Sequence, residues 1–438
     1  MAIAYSKAAA SVVLVATLAG CSANNLITRV LLSPSPHERY ADGLRSANLG
    51  DTALGRDWTQ AGERALAQPL SATLPLNESG YFSSAPPTAV GYRLDLERGR
   101  LLNIDLTFDG LEFPRLFVDL FEVRDGAVPQ RVASLSEGVS LAFAVPRDGA
   151  YVLRIQPELL RSGRFNVLQR TLASLPFPVS GLTAAAVQSE FGAARDAGRR
   201  QHEGIDIFAA RDMPALAVVD GVAQTGTNNL GGNVVWLRGG VFGESFYYAH
   251  LDRFAFEGTA HVRAGEVIGY VGNTGNARAT SPHLHFGIYD REAIDPLPFI
   301  RADDPSPATG AAVDPLNELV RVTATRASLR NGPARTASIT VQLERGALAR
   351  VAGATAGQLR VELPDGAMGY IERSAISLAQ KPLRQHRLAA GTVLRDRPLP
   401  DAPAITTFDR VTTVEVLGDF RGFNYVRISG GTYGWVAS

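Results

Sequence analysis

The stretch SPHLHFGIY, residues 281–289, holds two of the chain's seven histidines, separated by one leucine. In a β-strand, side chains at positions i and i+2 leave by the same face. The pattern therefore predicts a strand in which His283 and His285 point to one side, and Leu284 and Phe286 point to the other. Such a strand would bring a pair of histidines to a site while its apolar side chains enter a core.

A second stretch, QHEGIDIFA at residues 201–209, places a histidine and a carboxylate four residues apart. Gly204 disfavours a helix, and the isoleucines on either side of Asp206 favour a strand. We therefore expect His202, Gly204 and Asp206 to share one strand face, with the glycine leaving room for another group against the backbone. The helical HExxH zinc motif does not fit, because it requires a histidine where this chain has Asp206.

A third stretch, FYYAHLD at residues 246–252, ends an aromatic run with His250. Four histidines and an aspartate thus lie on separate β segments. A catalytic zinc ion takes three protein ligands, among which histidine and carboxylate are suitable, and keeps one position for water. The grouping predicts a Zn2+ site, although each residue alone would be read as an ordinary polar side chain. Three further histidines, His37, His261 and His386, are interpreted as ordinary hydrogen-bonded residues. Tyr247 and Tyr248 are interpreted as packing residues.

The motif order H-x-x-x-D, then H, then H-x-H, closely resembles the lysostaphin-type (LytM-like) zinc endopeptidases of bacterial cell walls. The resemblance covers about residues 185–296 and includes HEGIDI, YYAHLD, VGNTGNA and SPHLHFGIY. It implies that His202, Asp206 and His285 hold Zn2+. It also implies that His250 and His283 are a catalytic pair without a metal bond, which accepts the proton of water and stabilises the oxyanion. Which of the two is the base stays open.

The single cysteine, Cys21, follows SKAAASVVLVATLAG, which has one lysine and a short apolar run. The run is too short for a mature transmembrane helix, which needs ~20 apolar residues, and it is typical of a secretory signal. Leu18 to Cys21 resembles the bacterial lipoprotein cleavage box, which implies lipidation of Cys21 and a membrane anchor. In a Gram-negative host, Ser22 would direct the protein to the outer membrane, facing the periplasm. The alternative is an ordinary signal peptide with a chance cysteine.

At 438 residues the chain exceeds a single core, so we expect a mostly β, multidomain protein. Between residues 69 and 172, alternating apolar residues and turn signals predict a β-sandwich or jelly roll. The predicted segments are a signal peptide (1–20), a tether with short helices (21–68), the sandwich (69–172), a central antiparallel β-sheet metallopeptidase domain (173–300), a linker (301–316) and two SH3-like repeats (317–380 and 381–438).

The last two segments follow from an internal repeat with an offset of 65 residues, which indicates two copies of one unit. The matching positions are Leu329-Arg330 with Leu394-Arg395, Pro333 with Pro398, and Gly369-Tyr370-Ile371 with Gly434-Trp435-Val436. The copies resemble bacterial SH3-like barrels, which implies wall or peptide binding. A structural spacer is the alternative.

Acidic and basic residues balance at 43 each, so the charge gives no indication of a nucleic-acid partner. The combined hypothesis is a lipid-anchored zinc endopeptidase of the cell envelope that cuts peptide cross-links in peptidoglycan, whose peptide stems are its partners. A non-catalytic activator of a wall amidase and a wall-tethering lipoprotein are the alternatives. The oligomeric state and the bond that is cut stay open.

Overall fold

The computed structural model describes residues 33–84, 86–109, 116–135, 138–240, 243–302 and 315–438. The protein is mostly β and contains several separate hydrophobic cores, which confirms the predicted fold class. Within the described ranges, no helix has the length and apolar character needed to cross a bilayer. The predicted signal peptide and Cys21 lie outside these ranges, as does most of the predicted linker.

Two helices precede the first strands: α1 (Pro36–Ser46) and α2 (Ala53–Ala67). Ser35 begins α1 with a capping box, which satisfies backbone donors of the first turn. Trp58 of α2 is buried, and its Nε1 donates a hydrogen bond to the Pro157 carbonyl at 2.8 Å. The part of the predicted tether that the structure describes is therefore docked against the sandwich.

The sandwich consists of two facing sheets around one core, as predicted. One sheet has the order β1-β3-β8-β5-β6, and β2, β9, β4 and β7 lie in the other. Its strands are β1 (Leu70–Ser71), β2 (Leu76–Phe82), β3 (Val90–Leu96), β4 (Arg100–Asp109), β5 (Leu116–Val123), β6 (Gln130–Ser134), β7 (Ser140–Ala144), β8 (Gly149–Pro157) and β9 (Gly163–Ala173). Leu94, Ile104 and Leu153, which the alternation places inside, are fully buried.

The central domain is built on an antiparallel sheet whose main path is β10-β13-β20-β17-β16-β15-β18. Its elements are β10 (Val187–Ser189), β11 (Ala194–Arg195), β12 (Arg200–Gln201), β13 (Ile205–Phe208), β14 (Pro214–Leu216), β15 (Gly221–Asn228), β16 (Gly232–Gly239), β17 (Ser245–Phe254), β18 (Thr259–Val262), β19 (Val267–Val271), β20 (His283–Asp290), β21 (Glu292–Ile294) and the one-turn helix α3 (Leu297–Ile300).

The entry and exit of the central domain lie side by side. The Leu175 N–H donates a hydrogen bond to the Phe299 carbonyl at 3.0 Å. The Arg100 guanidinium of β4 donates to the Pro298 and Arg301 carbonyls at 3.2 and 2.7 Å. The domain therefore leaves and rejoins the rest of the molecule at one place on the sandwich.

Two similar units follow, and their equivalent strands agree with the predicted repeat. The first contains β22 (Leu319–Val322), β23 (Arg326–Arg330), β24 (Ile339–Glu344), β25 (Leu348–Ala354), β26 (Gln358–Glu362), β27 (Met368–Glu372) and β28 (Ile376–Leu378). The second contains β29 (Arg384–Leu388), β30 (Val393–Arg395), β31 (Ala404–Thr407), β32 (Thr412–Phe420), β33 (Phe423–Arg427) and β34 (Tyr433–Ala437). Arg330 pairs with Tyr370 in the first unit, as Arg395 pairs with Trp435 in the second.

The first repeat shares a sheet with the sandwich, because β2 pairs with β25 as well as with β9. A buried ion pair spans the junction, with Arg360 Nε 2.8 Å from Glu78 Oε1. The hydroxyl of Tyr92 donates to the same carboxylate at 2.7 Å, and that of Tyr370 also donates to it. The sandwich and the first repeat are thus joined by backbone hydrogen bonds and a satisfied buried charge.

Candidate metal centre

Strands β13 and β20 are antiparallel neighbours, and their register places Asp206 directly opposite His285. On β20, Leu284 and Phe286 are fully buried in the core, while His283 and His285 leave by the other face. The alternation predicted from the sequence is therefore confirmed for this strand.

The predicted strand through His202 is wrong by three residues, because β13 begins at Ile205 and His202 lies before the bend at Glu203 and Gly204. Backbone hydrogen bonds hold His202 next to the sheet: its N–H donates to the Ala193 carbonyl at 2.9 Å, and its carbonyl accepts from Gly192 N–H at 2.8 Å. The imidazole therefore reaches the same site from the irregular segment that precedes the strand.

Three side-chain atoms meet at the centre of the site. The Nε2 atom of His202 lies 3.0 Å from Asp206 Oδ1 and 2.9 Å from His285 Nδ1, and the latter is 3.0 Å from Asp206 Oδ1. A triangle of this size allows one ion to reach each atom at the 2.0–2.2 Å that is typical of zinc bonds to His and carboxylate. His202, Asp206 and His285 are the predicted ligand set, and the structure brings all three together.

The surroundings of these atoms suit a metal ion. The Nδ1–H of His202 donates to the Glu190 carbonyl at 2.8 Å. This hydrogen bond fixes the tautomer and leaves Nε2 with a lone pair that can bind a metal. Burial alone would raise the pKa of the Asp206 carboxyl, but its close contacts with the His202 and His285 rings hold that pKa well below its usual range. Burial lowers the pKa of His285, so the site presents neutral imidazole and a carboxylate, which are the forms that bind metal.

Gly204 provides the space that the sequence predicted between His202 and Asp206. A Cβ at this position would lie 2.8 and 2.9 Å from Cε1 and Nε2 of the His285 ring, and 2.5 Å from the Phe286 carbonyl oxygen. The group that occupies this room is therefore the imidazole of His285 itself.

His250 and His283 stand beside the triangle, with ring centroids 4.9 Å apart. Each donates its Nδ1–H to a backbone carbonyl, Thr274 for His250 and Ser281 for His283, both at 2.9 Å. Both rings are therefore held in the tautomer whose Nε2 can accept a proton. Burial, helped by the neighbouring His283, lowers the pKa of His250 to about 4, so this ring is neutral near pH 7.

His250 also has an unusual backbone conformation, with φ = +63°. A non-glycine residue in the left-handed region is strained by about 1–3 kcal/mol, and such strain concentrates at functional sites. Its backbone is held by a hydrogen bond from the His250 N–H to the Gly231 carbonyl at 2.7 Å. This conformation turns the backbone at His250 out of regular strand geometry at the end of the aromatic run.

The site opens into a groove of about 400 Å³. Tyr247 and Tyr289 line one wall, with the Tyr247 ring centroid 5.9 Å from that of His285. Tyr248 packs in the core as predicted, and its hydroxyl accepts a hydrogen bond from Val218 N–H at 3.1 Å. Tyr247 packs against Trp236, as predicted, and it also lines the groove.

The other histidines lie away from the groove. His37 is buried among the helices, 2.8 Å from Gln156 Oε1, and His261 and His386 lie on strands β18 and β29. Sequence reasoning missed Arg195, whose guanidinium is 2.6 Å from Asp206 Oδ2. No motif marks this arginine, because it reaches the aspartate through a hairpin fold that has no local signal.

Two family models match the chain: "Peptidase family M23" over residues 200–296 and "Bacterial SH3 domain" over residues 323–377. Among curated proteins, the chain is 36% identical over 140 residues to the L-Ala--D-Glu endopeptidase of Bacillus subtilis, covering 29% of this chain and 43% of that protein. It is 44% identical over 88 residues to the DD-carboxypeptidase/endopeptidase Mpg of Neisseria meningitidis, covering 20% of each.

Among solved structures, the catalytic domain of lysostaphin from Staphylococcus simulans is 30% identical, with a TM-score of 0.23, over 25% of this chain and 87% of that one. The chain spans less than half the length of these curated relatives. The matched residues contain all five site residues, and the second match falls within the first repeat. Residues 200–296 are therefore an M23 peptidase domain, and residues 323–377 are a bacterial SH3 domain.

Proposed function

We propose that this protein is a zinc-dependent endopeptidase that hydrolyses peptide cross-links of bacterial peptidoglycan. The observation that carries the proposal is the convergence of three ligand atoms within about 3 Å of one another. This triangle lies inside a matched M23 domain whose curated relatives are named as endopeptidases.

His202, Asp206 and His285 would hold the ion, which when bound supplies a Lewis acid and lowers the pKa of bound water to about 7. The neighbouring His250 and His283 would act on the peptide. Their Nε2 atoms can accept a proton from the attacking water, and a ring that has been protonated can donate to the oxyanion or to the leaving amine. The two rings share these roles across the 4.9 Å that separates their centroids.

The groove wall supports a peptide substrate. Tyr247 and Tyr289 present aromatic surface beside the ligands, with Trp236 packed against both at centroid distances of 4.5 and 5.4 Å. Because rigid aromatic side chains bind with little loss of conformational entropy, this wall suits an extended stem peptide laid across the metal.

The direct test is mass analysis of the products formed from defined muropeptides. We expect cleavage of a peptide bond, loss of cleavage with a chelator and recovery when Zn2+ is added back. His261→Ala, which changes a histidine outside the groove, is the matched control and should retain activity. Zinc binding without cleavage would instead favour the non-catalytic activator.

We also propose that Cys21 is lipidated and anchors the protein in the cell envelope, with the repeats directed to the wall. The support is the resemblance of Leu18 to Cys21 to a lipoprotein cleavage box. Cys21→Ala should move the full-length protein from the membrane fraction to the soluble fraction. A variant that remains with the membrane would show that another part of the chain provides the attachment.

A further inference from the structure

The second oxygen of the Asp206 carboxylate is already engaged by the protein. Oδ1 lies in the ligand triangle, whereas Oδ2 accepts a hydrogen bond from Arg195 Nη2 at 2.6 Å. The same Nη2 donates to Ser189 Oγ at 2.6 Å. The Asp206 side chain is 11% exposed and that of Arg195 is 34% exposed, so this ion pair is partly shielded from solvent.

The backbone around Arg195 fixes this contact. Ser189 lies on β10 directly opposite Asp206 on β13, so the serine hydroxyl holds the guanidinium beside the carboxylate. Arg195 itself lies in the β11–β12 hairpin, where it pairs with Arg200. This hairpin is joined to His202 by the hydrogen bonds of Gly192 and Ala193. One short segment therefore positions a metal ligand and the arginine that contacts its neighbour.

We propose that Arg195 is a positioning residue that reserves Oδ2 of Asp206, so that the carboxylate offers only Oδ1 to the metal. This inference rests on the proposed zinc site. A carboxylate that is free at both oxygens can bind a metal through both of them. In a zinc site with two histidines, a second carboxylate bond would compete for the position that water needs.

The choice of arginine supports this role. Its guanidinium is always charged, and one nitrogen, Nη2, donates to both Asp206 Oδ2 and Ser189 Oγ. Partners of metal ligands typically change metal affinity or activity about 10–100-fold when they are removed. Arg195 touches no reacting atom and would act only through Asp206.

The test compares Arg195→Ala, Arg195→Lys and the unchanged chain after loading with cobalt(II), whose visible absorption weakens as its coordination number rises above four. We expect weaker absorption in Arg195→Ala and partial recovery in Arg195→Lys, which keeps a positive charge and a nitrogen that can donate to Asp206. We also expect kcat on muropeptides to fall about 10–100-fold in Arg195→Ala. KM should not rise, and the affinity for zinc should not fall. Arg253→Ala, which breaks an exposed pair with Asp212 in the same domain, should match the unchanged chain.

Equal cobalt spectra in Arg195→Ala and the unchanged chain would overturn the inference. Complete loss of cobalt binding in Arg195→Ala would also overturn it, since the arginine would then hold the hairpin and not the coordination number. An unchanged chain that binds cobalt but cleaves no muropeptide contradicts the proposed function alone. The spectral comparison would then still decide the role of Arg195.

Discussion

The ring of His285 is held from two sides, by Asp206 on the facing strand and by Gly204 beneath it. Gly204→Ala should displace this ring, because the added methyl carbon would lie 2.5–2.9 Å from the ring and a backbone oxygen. We expect loss of bound zinc, measured by competition with a chromogenic chelator, with the domain still folded.

The matched control is Gly226→Ala on β15, where a Cβ would meet only one atom within 4 Å, at 3.7 Å. This variant should bind zinc as the unchanged chain does. Equal zinc affinity in the two variants would contradict the role given to Gly204.

The five site residues fall into two groups that substitution can separate. His285→Ala or Asp206→Ala removes a corner of the ligand triangle and should lower bound zinc. His250→Ala leaves the triangle complete, so it should retain zinc while kcat falls about 10²–10⁴-fold, the usual contribution of general acid–base catalysis. Parallel measurements of zinc content and turnover test this division, and equal zinc loss in all three variants would overturn it.

Elements differ in how far their sequence predicts them. The alternation in HLHF was sufficient to orient β20, because one face of that strand is fully buried and the other carries histidines. The position of His202 outside β13 was not predicted, since it depends on a hydrogen bond to Ala193, beside a hairpin whose turn has no strong pattern. The convergence of His202, Asp206 and His285 was known only through a family resemblance, because spacing along the chain does not state which strands are neighbours.

Helix α1 carries His37, which stacks on Trp58 of α2 and should make both helices sensitive to acid. Burial and the nearby Arg154 charge lower the pKa of His37 to about 4, against opposing effects of Gln156, Asp119 and Glu38. The unfolded chain, with an ordinary pKa of about 6.5, binds the proton more readily. The stabilising effect of neutral His37 is therefore present above about pH 6.5 and lost as the pH falls towards 4, by about 3 kcal/mol.

His37→Gln should remove this part of the pH dependence. Urea unfolding followed by the helical signal at 222 nm, at pH 7.5 and pH 4.5, measures it. If the free energy of unfolding of His37→Gln falls as much in acid as that of the unchanged chain, other groups control the pH dependence of these helices.

At the scale of the whole molecule, the shared sheet between sandwich and first repeat was not predicted. Edge strands β2 and β25 lie far apart in sequence, and no local pattern states that two edges will pair. The junction depends on Glu78 and Arg360, which are almost fully buried. Removing one partner of a buried ion pair destabilises a protein by about 3–5 kcal/mol, because the other charge is left unpaired.

Arg360→Ala should therefore lower the thermal stability of the full chain, measured by calorimetry. Arg335→Ala is the matched control, since its pair with Glu372 is exposed, with side chains 83% and 48% accessible. Exposed pairs contribute about 0–1 kcal/mol, so this variant should unfold almost as the unchanged chain does. Similar losses in the two variants would contradict the importance of the junction.

The neighbouring entry and exit of the central domain, at Leu175 and Phe299, have a mechanical consequence. If the protein is held at its amino-terminal side and pulled at its carboxy-terminal side, tension can pass directly from β2 to β25, through Ser79–Ala354 and Gly80–Gly353. The groove lies in the central domain, outside this path, so the tension would not act on it. A molecule stretched between two surfaces could therefore bear strain without distorting its metal ligands.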